Sequence, residues 1–351
     1  MSRQLSESET NEFGRELDAL VAETRADLGA RDVAHIRNII RRVRQLEASG
    51  RLLLAVGVDP ITFVAGAAAL GASKILENME VGHNVMHGQY DWTNDPALAS
   101  HTYEWDIVCP SDDWRHSHNY EHHTFTNVLG KDRDVGYEFL RVSAKQKWNA
   151  SHSFQPVSAA ILALFFQWGV AMHDLRIWET IRGEQTVKEL ATRSKPFLRK
   201  AGGQLAKDYV LFPLLALGNA PRVAAGNLIA NGARNLWTFG IIFCGHFPAG
   251  VEVYPEGTVE NESRGAWYVR QVNGSANIEG GRMLHVLSGH LSHQIEHHLF
   301  PDIPAARYPE LAPRVREICK RYGQTYNTGS FGKQLRSVVK QLVTNALPAA
   351  A

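Results

Sequence analysis

His118-Asn119-Tyr120-Glu121-His122-His123 and His293-Gln294-Ile295-Glu296-His297-His298 are two runs of one pattern, H-x-x-E-H-H. His83-Asn84-Val85-Met86-His87 adds H-x-x-x-H, and half of the sixteen histidines fall in these three boxes. At 3.6 residues per turn, positions i and i+4 lie about 40° apart on a helix, so His83/His87, His118/His122 and His293/His297 can each face one ion. The i+5 residues His123 and His298 point about 100° further round, towards a second ion or the back of the first ligands.

A metal explains such boxes better than packing does. Neutral imidazoles buried together leave ring nitrogens without partners, and a protonated cluster repels itself. Imidazole suits zinc, copper, iron and nickel, whereas hard ions want carboxylates. Zinc usually takes four ligands, fewer than this chain offers. Three boxes hold about enough ligands for two ions, and a histidine-rich pair beside apolar segments suggests a di-iron site for O2 chemistry. Glu121 and Glu296 are expected to stand behind the ligands and accept an imidazole N–H. His35, His101, His152, His173 and His285 stand alone and read as ordinary histidines.

The rest of the chain sets limits. Its 37 Lys and Arg balance 36 Asp and Glu, a net charge of +1 that gives no field for gathering nucleic acid. Cys109, Cys244 and Cys319 are far apart and form no C-x-x-C, which excludes a zinc ribbon, an iron–sulfur site or a disulfide framework. The polar N-terminus has no apolar core of the signal-peptide kind.

Apolar character begins abruptly at Leu52–Val58, breaks at Asp59-Pro60 and resumes over Ile61–Leu76. These about 25 residues suit one span or a short hairpin. Pro156–Leu175 and the blocks Tyr209–Leu217 and Val223–Phe247 follow, the last two forming a hairpin that turns near Asn219-Ala220-Pro221. Asp59, Asn227, Asn231 and Arg234 interrupt them, as in the core of a soluble helical enzyme. Basic residues flank them, as in a membrane protein with those loops in the cytoplasm. If all boxes meet on one face, the hairpin crosses twice and Pro156–Leu175 lies along the interface. The expected fold is all-α: a membrane-embedded, multi-pass helical bundle with a cytosolic helical cap carrying a histidine-ligated di-metal site. Its divisions are a cytosolic helical segment over 1–50, the catalytic domain over 51–325 and a tail over 326–351.

These boxes, in this order among these apolar blocks, resemble the membrane fatty acid desaturase family over roughly residues 50–325. The family boxes H-x3-4-H, H-x2-3-H-H and [HQ]-x2-H-H match His83/His87, His118/His122/His123 and Gln294/His297/His298. The string Gln294-Ile295-Glu296-His297-His298-Leu299-Phe300-Pro301 is similar to the third box of front-end, linoleoyl-CoA-like members. The resemblance implies a further ligand between the last hairpin and the third box, at His246. Acyl-CoA Δ9 members carry an asparagine four residues before that histidine; Ile242 stands there in this chain. Helix arithmetic gives the first place of the third box to His293 and the family register gives it to Gln294. His290 and His116 are placed just behind the ligands.

The resemblance further implies an oxidoreductase, a desaturase that uses two iron ions and O2 to place a cis double bond in an acyl chain carried on CoA or lipid. No G-x-G-x-x-G follows a strand and no His-Pro-Gly-Gly is present, so electrons are expected from a separate ferredoxin, cytochrome or reductase. Lys131-Asp132-Arg133-Asp134 and Arg314, Arg316, Lys320 and Arg321 are charged stretches with which such a donor can dock, or simply solvated surface. Trp92, Trp105, Trp114, Phe165, Trp168 and Trp237 are candidate liners of an acyl tunnel. Arg37, Arg41, Arg193, Lys195 and Arg199 can meet a carrier phosphate or membrane lipids. The alternatives are a fatty acid or alkane hydroxylase on the same scaffold, or a non-enzymatic metal- or haem-binding membrane protein.

Overall fold

A computed structural model describes residues 2–348, so the last three residues of the expected tail lie outside the described residues. The chain is mostly helical, with one two-stranded parallel sheet pairing Asn277–Glu279 with Thr328–Ser330.

The first apolar block forms a hairpin. The helix Ala30–Val56 turns back through Pro60–Leu76, and the turn is fixed by Asp59, whose Oδ1 accepts from the amides of Ile61 and Thr62. Small residues let the two helices touch: a Cβ on Gly50 would lie 2.7 Å from the Leu70 nitrogen and 2.9 Å from the Gly66 carbonyl. The expected boundary at residue 50 falls inside the first of these helices. The second hairpin reverses at Leu217–Asn219, the turn the sequence marks, and enters the 27-residue helix Ala220–His246. Its tip is tied to the first one, with the Asn219 amide donating to the Ala55 carbonyl at 2.7 Å and Arg222 to the Asp59 carbonyl at 2.9 Å.

Among the described residues no single helix is long and apolar enough to cross a membrane. Ala220–His246 has the length, but Arg222, Asn227, Asn231, Arg234 and Asn235 lower its hydropathy. Ala150–Leu164 and Phe166–Asp174 pass together on length and composition, bent by 100°. The bend replaces the single interfacial helix expected over Pro156–Leu175.

A second body of helices stands over the hairpins. Glu7–Ala26, Arg264–Asn273, Gln294–Leu299 and Tyr308–Arg321 share a core of Phe13, Leu17, Tyr268, Val272, Ile295, Leu299 and Val315. Arg314 and Arg321, read as docking charges, instead pair with Glu23 and Glu16 and hold the N-terminal helix down. The helix Phe331–Asn345 buries Val338 and Leu342 in the main core beside Ile241 and Cys244. The three boxes lie where the two bodies meet.

Candidate metal centre

The first two boxes are carried by π-helical turns. Pro60–Leu76 runs into Glu77–His83, and Ser111–Trp114 runs into Arg115–His122. A π turn closes i→i+5 hydrogen bonds and holds more residues than an α turn. Positions i+4 and i+5 can therefore both return to the face of residue i. The His122 ring stacks on His118 at 5.0 Å, and His123 meets His118 edge-on at 5.0 Å. The third box is an ordinary short helix, Gln294–Leu299, that puts His297 and His298 one turn beyond Gln294. His246 is the last residue of Ala220–His246.

Two clusters result. His83, His87, His118 and His297 bring ring nitrogens within 4.8 Å of one another, and so do His122, His246 and His298. His123 lies between them, 4.7 Å from His87 and 4.8 Å from His297 by ring centroid, and stacked on His298 at 4.4 Å. The Gln294 amide nitrogen is 3.0 Å from His246 Nε2. His293 stands apart, 4.6 Å from the His285 ring and 3.4 Å from the Ser292 hydroxyl. The reason is local: the third-box helix begins after His293, whose backbone at φ −107°, ψ 57° is not helical. An i to i+4 relation with His297 has no helix to carry it.

The donor set fits metal ions. The Nε2 atoms of His87, His118, His122 and His297, both ring nitrogens of His123, Nδ1 of His246 and Oε1 of Gln294 are buried without a hydrogen-bond partner among the described residues. So many orphaned acceptors and donors are costly in a dry interior unless something binds them. Burial, with His118 close by, pushes His83 down to about 3. Burial and crowding by neighbouring rings also hold His87, His123, His297 and His298 well below the usual histidine range, so these rings are neutral ligands. Burial pulls His122 down as well, but the Asp132 carboxylate outweighs it and the ring is raised.

The groups that orient the ligands are not those expected. Glu121 pairs with Arg176, and Glu296 accepts from Asn277 and Tyr326 at 2.8 Å each; neither receives a ligand N–H. The carboxylates behind the boxes are Asp132 and Asp134, at 3.0 Å from His122 Nδ1 and 3.4 Å from His118 Nδ1. Both belong to the charged stretch read as docking surface. Asp132 is buried, and Asp134 also pairs with His173 at 3.2 Å, so a histidine read as ordinary supports the site from behind. The remaining supports are neutral: Asn84 for His83 at 3.0 Å, Tyr308 for His297 at 3.3 Å and Gln271 for His298 at 3.0 Å. Sequence offered one signal, two aspartates a residue apart soon after the second box. His290 pairs instead with buried Glu80 at 2.9 Å, and His116 lies near Glu121 at the surface.

One cavity opens onto both clusters. It encloses about 880 Å³ with its mouth, within the ~300–1,000 Å³ typical of small-molecule sites. His83, His118, His122, His246 and Gln294 form one end, and Met79, Ile107, Phe166, Val170 and Ile242 line its length. Trp105 and Trp114 are in the wall; Trp92, Phe165, Trp168 and Trp237 are not.

Comparisons with known proteins agree with this arrangement. The fatty acid desaturase family model matches residues 60–330. The NADPH-dependent stearoyl-CoA 9-desaturase of Mycobacterium tuberculosis is 45% identical over 348 residues, 98% of this chain and 82% of that protein. The sn-1 linoleoyl-lipid 6-desaturase of a Synechocystis species is 28% identical over 78% of this chain and 77% of its own length. Human fatty acid desaturase 3 is 25% identical over 65% of this chain and 49% of its own. With its three boxes gathered on one cavity and this span of likeness, the chain belongs to the fatty acid desaturase family and is an oxidoreductase.

Proposed function

We propose that the protein places a cis double bond at carbon 9 of a saturated, CoA-linked acyl chain of about stearoyl length, at two iron ions and with O2 as oxidant. The observation that carries this reading is the cavity: an apolar channel that ends on two histidine clusters. Position and carrier follow the 45% identical relative, whose likeness covers nearly the whole chain. The eight-residue string similar to front-end members weighs less.

The ligands are His83, His87, His118 and His297 for one ion and His122, His246 and His298 for the other, with His123 between them and Gln294 beside His246. Iron supplies the oxidising power that no side chain has. The balance is R–CH2–CH2–R′ + O2 + 2e⁻ + 2H⁺ giving R–CH=CH–R′ + 2H2O. Electrons come from a separate protein that draws on NADPH, because the chain has no nucleotide-binding glycine motif. The residues position and exclude. Apolar walls hold one methylene pair against the clusters, which turns an encounter into a fixed approach. Trp105 and Trp114 help keep bulk water out, and Asp132 and Asp134 fix the rings of His122 and His118.

The same proposal sets the protein in a membrane with the boxes at the cytoplasmic face. The joined hairpin tips support it: Val58, Ile61 and Leu217 are 80–89% exposed, with Leu214 and Leu215 beside them. An apolar patch of this kind marks a contact surface. Mass spectrometry of the acyl chains of an expressing host tests the reaction. A loss of two hydrogens at carbons 9 and 10 is expected; a gain of one oxygen assigns a hydroxylase, and an unchanged profile overturns the reading.

A further inference from the structure

The cavity has a second end, and it is charged. Asn235, Thr238, Ile242 and His246 recur every three or four residues along Ala220–His246, so one helix face forms a continuous wall. Arg234 closes that wall twelve residues before His246, about 18 Å along the helix. Gln167 joins it from the opposite side.

Arg234 is 2% exposed and among the largest fully buried side chains of the protein. Its guanidinium has five N–H groups. Two find protein acceptors, both at the long distance of 3.3 Å: the Asp106 carbonyl and the Asn235 side-chain oxygen. The neighbouring carboxylates are committed to lysines, Asp208 to Lys74 at 2.8 Å and Asp106 to Lys207 at 2.5 Å. No carboxylate among the described residues pairs with Arg234. A buried charge so poorly matched is expensive, and the metal chemistry gives it no task.

The two ends of the cavity differ in surroundings. The metal end shares Ser117 and Asp174 with an open surface cleft that also holds His116, Arg133, Arg176 and Arg193, a polar entrance for a head group. The Arg234 end follows the helix towards Leu228 and Ile229, which are exposed on the apolar side of the bundle. A chain entering by the head-group side therefore points its methyl end at Arg234.

We propose that Arg234, with Gln167 and Asn235, forms a polar floor that sets the longest chain the enzyme accepts. The stop works by solvation rather than bulk. A methyl group pushed onto the floor displaces the water that completes the guanidinium's hydrogen bonds and offers no acceptor in return. A longer chain thus loses more than its added methylenes gain. The inference rests on the acyl-chain reading of the cavity, and its test separates the two.

Purified, iron-loaded enzyme is given saturated acyl-CoA chains of graded length, and products are measured for wild type, Arg234→Met, Arg234→Lys and Gln167→Leu. Arg234→Met should raise turnover of a chain two carbons beyond the wild-type optimum, relative to that optimum, by about tenfold, with double-bond position and iron content unchanged. Arg234→Lys keeps a charge at the floor and should keep the wild-type profile. If Arg234→Met fails to fold, as judged by lost iron, Gln167→Leu gives the same shift to a smaller degree. A wild-type length profile in a folded, active Arg234→Met or Gln167→Leu overturns the inference, as does an Arg234→Lys profile like that of Met. Absence of product from wild type would instead strike the acyl-chain reading itself.

Discussion

Asp132 holds His122 with both carboxylate oxygens, at 3.0 and 3.1 Å from Nδ1, and the same carboxylate accepts the backbone amides of Asn127 and Asp134. One buried acid thus fixes the ring, its tautomer and the loop that follows. Asp132→Asn keeps the size and one acceptor but removes the charge. Metal affinity or activity should fall by about 10–100-fold, measured by chelator competition alongside turnover. Equal affinity in the two proteins would mean that the carboxylate serves the loop alone.

The two clusters predict separable losses. His298→Ala strips a ligand from the group with His122 and His246, and His297→Ala one from the group with His83, His87 and His118. Each variant should retain about one iron per chain where the wild type holds about two. Elemental analysis with Mössbauer spectra of the residual iron distinguishes the sites, and two different residual signatures are expected. Identical spectra would argue for one merged site.

Gln294 and His293 should part company. His293→Ala removes a ring that touches His285 and Ser292, so iron content should match wild type. Gln294→Leu removes the amide beside His246 and should cost at least about tenfold in activity. Gly245→Ala acts on the same contact from behind, because its Cβ would lie 2.9–3.1 Å from three side-chain atoms of Gln294. Turnover should drop in this variant while the thermal midpoint moves little. A loss of iron in His293→Ala would restore that histidine to the ligand set.

The hairpin tips predict how the protein partitions. Leu214→Ser, Leu215→Ser and Leu217→Ser together remove exposed apolar surface without touching the buried core. At about 25 cal/mol per Å² of apolar area, three leucines amount to a few kcal/mol of membrane affinity. Alkaline extraction of membranes should release more of the triple variant than of wild type, with iron per chain unchanged.

Sequence carried the identity of the ligands further than their arrangement. Histidine boxes are local patterns, and the chemistry of imidazole makes them readable in a one-dimensional string. The turn near Asn219 was legible for the same reason, because Asn-Ala-Pro interrupts an apolar run. Burial was not legible. Asp132 and Asp134 look like surface charge between a lysine and an arginine, and only folding buries Asp132 and carries both acids behind His122 and His118. Arg234 looked like a flaw in an apolar block, yet it lies in the cavity wall. His293 misled because a repeated six-letter pattern suggested a repeated conformation, whereas one copy is a π turn and the other starts a residue late.

The π turns at Glu77–His83 and Arg115–His122 give the centre a phase as well as a composition. Deleting one residue upstream of a box, within such a turn, would relax it to the commoner helix and rotate everything beyond by about 100°. Every box would still read correctly, and the rings of that box would point away from their partners. Spacing between motifs is therefore as binding on this protein as the motifs themselves, and an insertion or deletion there is a sharper lesion than many substitutions of the ligands.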